Sequence, residues 1–109
     1  MYQIKTFKTT NGKSPFTKWL GKLEINTALR IQERIRRIGS GNLGDFKSVG
    51  EGVHELRFFF RRGSGYRVYF GFEDEKIIIL LCAGDKSTQV KDIKKAKEYW
   101  REYEQDNRL

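Results

Sequence analysis

With 109 residues the chain has room for one domain around one core, residues 1–109, and its 33% charged and 38% apolar residues fit a folded, soluble protein. One cysteine excludes an internal disulfide, and with a single histidine it leaves none of the usual zinc spacings; the longest apolar run, "IIILLCA", is too short to cross a bilayer. The net charge of +8 is uneven, with 14 Lys/Arg against 5 Asp/Glu in residues 1–72 and 8 against 9 in residues 73–109, so a polyanionic partner such as nucleic acid is expected for the first two thirds.

The opening "MYQIKTF" alternates in the manner of a first strand. It has no apolar stretch of the signal-peptide kind, so a cytoplasmic protein is expected. After "TTNGK", Ser14 and Pro15 make an N-cap followed by a proline at the first helical position. A short helix carrying Phe16, Trp19, Leu20 and Leu23 follows, weakened or ended by Gly21. A second helix is marked by Ala28, Ile31, Ile35 and Ile38, spaced three, four and three apart, with Gly39 and Gly41 as its stop. Its other side carries Arg30, Arg34 and Arg37, either a solvated face or an RNA-facing one. "SGNLGDFKSVGEG" reads as an irregular, glycine-rich loop.

Three strand-like runs come next: Val53 to Phe60, Tyr66 to Phe72 and Lys76 to Cys82. A last helix begins after "GDKST", capped by Ser87 or Thr88, with Val90, Ile93, Ala96, Trp100 and Tyr103 as its apolar stripe. The order β-α-α-β-β-β-α predicts an α+β domain, a mostly antiparallel sheet packed by helices. Cys82 lies inside the most apolar run and reads as a small buried hydrophobe.

Strand alternation sorts the residues of "GVHELRFFFRRGSGYRVYFG". Leu56, Phe58 and Phe60 share one face of the first run, and Glu55, Arg57 and Phe59 share the other. In the second run Tyr66, Val68 and Phe70 oppose Arg67 and Tyr69. If both apolar sets face the core, paired residues have an even index sum and the turn an odd count, most simply Arg62-Gly63-Ser64. That register sets Phe60 opposite Tyr66 and Arg57 opposite Tyr69. It gathers Glu55, Arg57, Arg67 and Tyr69 on an outward sheet face and leaves Arg61 and Arg62 at the hairpin tip, solvated or facing RNA. By the same parity His54 joins the Leu56 side in a partly buried structural role. Lys86 stands where the third run meets the last helix, a plain turn lysine or a group that meets an anion.

The glycines of "GSGYR" sit between strands and not before a helix, so neither a P-loop nor a dinucleotide-binding loop is present. What remains is a set of cations with one glutamate and one tyrosine. Metal-free RNA cleavage can be built from such parts: a 2′-hydroxyl attacks the adjacent phosphorus while cations stabilise the charge that develops on the non-bridging oxygens. Arg57, Arg67 and Lys86 would hold the phosphate. Glu55 or Tyr69 would move protons or position the 2′-hydroxyl. The same parts also suit a face that only binds.

Two stretches, "GVHELRFFFRRGSGYRVYFG" with its "GNLGDF" lead-in and "IIILLCAGDKSTQVKDIKKAKEYW", resemble the RelE/ParE superfamily of bacterial toxins, and within it the HigB-like addiction module killer proteins. The resemblance covers nearly the whole chain. It implies the toxin of a type II toxin–antitoxin pair, with a helix-turn-helix, HigA-like antitoxin as partner. It also implies metal-independent cleavage of messenger RNA on the ribosome, leaving a 2′,3′-cyclic phosphate, with no cofactor. ParE-type members instead poison DNA gyrase, and a degenerate member would only bind its antitoxin or RNA. Residue by residue, the arginine of the family's "GYR" strand matches Arg67, a basic residue one strand earlier matches Arg57, and the basic residue after the last strand matches Lys86. Two positions depart from the pattern. Asp92 falls near the site of a RelE tyrosine, and Glu55 replaces a second lysine.

Overall fold

The computed structural model describes residues 1–58 and 65–107. Its elements are β1 (Gln3–Thr6), α1 (Pro15–Leu20), α2 (Ile25–Gly39), β2 (Phe46–Gly50), β3 (Val53–Phe58), β4 (Tyr66–Asp74), β5 (Ile77–Asp85), a 3₁₀ turn (Lys86–Thr88) and α3 (Gln89–Asp106). The strands form one mixed sheet in the order β1-β5-β4-β3-β2, parallel between β1 and β5 and antiparallel elsewhere. The α+β class and the helix-packed sheet match the expectation.

The local reasons are those read from the sequence. Ser14 Oγ accepts the Thr17 N–H at 3.2 Å and Pro15 takes the first helical position, so α1 starts where its cap allows. The run that forms β5 is apolar because both of its faces are covered. Leu80 and Ile78 join Leu56, Phe58, Val68 and Phe70 beneath Phe16 of α1 and Ile31 and Ile38 of α2. Ile79 and Leu81 join Val53 and Tyr69 beneath Ala96 and Trp100 of α3. Helices therefore lie on both faces of the sheet. Val90 is the exception in the expected α3 stripe: it is 85% exposed and has no part in the cluster that Ile93, Ala96, Trp100 and Tyr103 form against the sheet.

Two expectations are corrected. The glycine-rich segment is not all loop, since it contains the edge strand β2, paired with β3 through Phe46–Leu56, Lys47–Glu55 and Ser48–His54. The β2–β3 turn has positive φ at both central residues, Glu51 (55°) and Gly52 (82°), as a type I′ hairpin requires. Glu51 is held in that conformation by Arg101 at 3.1 Å and Lys97 at 3.3 Å, both on α3.

The β3–β4 register also differs. Phe58 pairs with Tyr66, Arg57 with Arg67, and Glu55 with Tyr69. The even index sum holds, but the register is shifted by two residues from the one that set Phe60 opposite Tyr66. The turn Arg62-Gly63-Ser64, with Phe59, Phe60 and Arg61, lies outside the described residues.

Candidate functional site

The shifted register makes Arg57 and Arg67 direct cross-strand partners. Like charges placed opposite each other in a ladder repel, so each guanidinium has its own acid. Arg57 Nη2 lies 3.2 Å from Asp45 Oδ2, and its backbone N–H donates to the Asp45 carbonyl at 3.0 Å. Arg67 Nε lies 3.7 Å from Glu55 Oε2.

The expected outward face is not outward. α3 packs over it, and Glu55 and Tyr69 are both 0% exposed. The Arg67 side chain is 12% exposed and that of Arg57 34%, so the two cations, not the acid and the phenol, are within reach of solvent. The phenol of Tyr69 donates to Glu55 Oε2 at 3.0 Å. Burial first, and then the Glu55 carboxylate, push the Tyr69 pKa well above the usual phenol range, so the hydroxyl keeps its proton and remains a donor. Gln89, which no sequence signal marked, donates to the same oxygen at 2.8 Å.

Gly84 pairs with Arg67 on the other side of β4. It has to be small, because a Cβ there would lie 1.8 Å from Asp92 Oδ2 and 2.7 Å from Thr88 Oγ1. The Asp92 carboxyl, on the first turn of α3, thus leans over Gly84 of β5. Burial raises its pKa above the ordinary aspartate value, opposed by the hydrogen bond that Thr88 Oγ1 donates at 2.5 Å. Lys86 is exposed two residues beyond Gly84, at the start of the 3₁₀ turn.

The arginines of α2 form a second group. Arg30, Arg34 and Arg37 line a groove of about 570 Å³ with Asp45 and Arg57. Arg34 donates to the carbonyls of Asn42 and Leu43 at 3.2 and 3.0 Å. Its guanidinium occupies the space that a Cβ on Gly44 would need, and Gly44 itself has φ of +70°. Arg34 thereby fixes the α2–β2 connection. Arg37 lies 3.8 Å from Glu33, which also holds Arg36 at 2.7 Å. Arg61 and Arg62 lie outside the described residues.

His54 packs among Phe46, Phe70 and Phe72, and burial lowers its pKa, which agrees with the structural role read for it. Cys82 is 7% exposed, and burial, with Asp92 nearby, pushes its thiol up to about 12. The native protein is therefore expected to resist a thiol reagent such as dithionitrobenzoate at pH 8, and to react with one equivalent once unfolded in guanidinium. Rapid labelling of the native form would contradict this burial. Among the described residues no group of three or more His, Cys, Asp or Glu is gathered as a metal site, and no helix is long and apolar enough to cross a membrane.

The family model "Phage derived protein Gp49-like (DUF891)" matches residues 18–101. The chain belongs to this Gp49-like family. It is a family of RelE/Gp49-type toxins, which points to a toxin–antitoxin system and implies an antitoxin partner. An uncharacterized protein of Haemophilus influenzae (strain ATCC 51907 / DSM 11121 / KW20 / Rd) is 49% identical over 96 residues, covering 87% of this chain and 89% of the relative. The matched span runs from α1 to α3 and so contains β3, β4, Gly84 and Gln89.

Proposed function

We propose that this Gp49-like protein is a ribosome-dependent endoribonuclease that cuts messenger RNA without a metal and so stops translation. The observation that carries the reading is the opposition of Arg57 and Arg67 across the β3–β4 ladder. Asp45 and Glu55 offset the repulsion within this pair, and two arginines set side by side at the sheet surface offer two positive groups to one anion. A phosphodiester has two non-bridging oxygens on which charge grows as the 2′-oxygen attacks phosphorus and the 5′-oxygen leaves. Arg67 and Arg57 stabilise that charge, and Lys86, exposed at the end of β5, adds a third cation.

Glu55 and Tyr69 act within the protein in this scheme, by holding Arg67. The Asp92 carboxyl, whose pKa burial raises and which lies over Gly84, is the candidate to carry a proton. Arg30, Arg34 and Arg37, with Arg61 and Arg62, are the candidates for contact with ribosomal or messenger RNA. The reading sets the chain near HigB-like toxins, as a cytoplasmic protein held inactive by a helix-turn-helix, HigA-like antitoxin. Its test is cleavage of a defined message on translating ribosomes, with upstream fragments ending in a 2′,3′-cyclic phosphate.

A further inference from the structure

Gln89 opens α3, yet its side chain reaches across to β3. Its Nε2 donates to Glu55 Oε2 at 2.8 Å, and the Tyr69 hydroxyl donates to the same oxygen at 3.0 Å. Arg67 Nε stands back from that oxygen at 3.7 Å, too far for a hydrogen bond. It is buried and has no hydrogen-bond partner among the described residues. Glu55 is fully buried and its other oxygen, Oε1, also has none. A buried acid arranged in this way is a poor device for stability, since an apolar side chain of similar volume would serve better. It is a good device for holding a cation near an acid without letting the two close.

The lone pairs of Glu55 Oε2 are already taken by two neutral donors. Arg67 is therefore drawn toward the carboxylate but kept from hydrogen bonding to Oε2, while Nη1 donates to the Gly65 carbonyl at 3.1 Å. We infer that Gln89 is a positioning residue: with Tyr69 it saturates Glu55 Oε2, so that the Arg67 guanidinium stays oriented and available to an incoming phosphate. What Arg67 faces rests on the nuclease reading. How Arg67 is held does not.

The experiment compares wild type, Gln89→Ala and Gln89→Glu in two readouts. The first is cleavage of a defined message on ribosomes. The second is the Arg67 Nε–Hε signal in ¹⁵N NMR, assigned by its loss in Arg67→Ala. Removal of the Gln89 amide frees Glu55 Oε2 to capture Arg67. Gln89→Ala is expected to move the Nε–Hε signal to the position of a hydrogen-bonded guanidinium. It should also lower kcat on the order of 10- to 100-fold, with KM little changed and the melting temperature not lowered. Gln89→Glu sets a second carboxyl beside Glu55, and the like charge raises the pKa of the introduced group. The introduced group donates as the amide does only while it holds a proton. Activity relative to wild type should therefore recover as pH falls through that raised value, a profile that a structural role would not produce.

An Nε–Hε signal unmoved by Gln89→Ala would overturn the inference, as would an unchanged kcat in a protein that cuts. If wild type cuts no message, the nuclease reading falls, and the position of the Nε–Hε signal still decides how Arg67 is held.

Discussion

Replacing Arg67 with alanine is expected to lower message cleavage on the ribosome by about 10²–10³-fold, the usual cost of one preorganised group that stabilises transition-state charge. The side chain is 12% exposed and lies opposite Arg57, so its loss removes the more buried half of the proposed phosphate clamp. The substitution has a second effect that must be separated from the first. Glu55 is fully buried, and removal of the cation beside a buried carboxylate costs about 3 kcal/mol or more. Glu55→Gln in the same chain removes the charge while Tyr69 and Gln89 still find an acceptor. The double variant should therefore melt near wild type and still fail to cut. Arg67→Lys keeps a charge without the planar fork and should fall between the two in activity. A double variant that recovered cleavage along with its stability would show that Arg67 serves the fold and not the chemistry.

Trp100→Ala is expected to have the largest effect on stability. The indole is 5% exposed, stacks on Tyr103 at 5.5 Å and covers two glycines, Gly71 of β4 and Gly52 of the β2–β3 turn. A Cβ on Gly71 would lie 2.6 Å from its Cε3 and Cζ3, and one on Gly52 would lie 2.7 Å from its Nε1. This single side chain thus docks α3 against β4 and against the β2–β3 turn. Truncation to alanine should cost about 3–5 kcal/mol, a large share of the roughly 5–15 kcal/mol that holds a domain folded. Gly71→Ala should cost about 1–3 kcal/mol by forcing the indole aside. The two are in contact and so will not add: in the Trp100→Ala background, Gly71→Ala should be close to neutral. Denaturant melts of the four proteins measure this cycle, and additive costs would mean that the indole does not rest on Gly71.

Much of the scaffold was legible because it depends on local pattern. The apolar run of β5, the Ser14-Pro15 start of α1 and the spacing of Ile31 and Ile38 each state their own structure. Parity alone paired Arg57 and Arg67 on one face. It could not say which face α3 would cover, because both sides of β4 carry large apolar groups, Val68 and Phe70 on one and Tyr69 on the other. Tyr69 therefore read as a site residue when it is core, and Glu55 as an exposed acid when it is buried. β2 was missed because it is an exposed edge strand bounded by glycines, with no alternation for burial to impose. The register slipped by two because the Gly/Ser break suggested the shortest odd turn. Gln89 could not be found from pattern, since its partner Glu55 lies in a strand four elements earlier.

The account turns on what the Arg57–Arg67 pair holds. Purified protein should be added to ribosomes translating a defined message, with breaks mapped by primer extension, and in parallel to DNA gyrase in a supercoiling assay. The expected result is discrete cleavage of the message that needs the ribosome, is lost in Arg67→Ala, and is accompanied by normal supercoiling. An intact message together with blocked supercoiling would contradict the nuclease reading and make this Gp49-like toxin a gyrase poison.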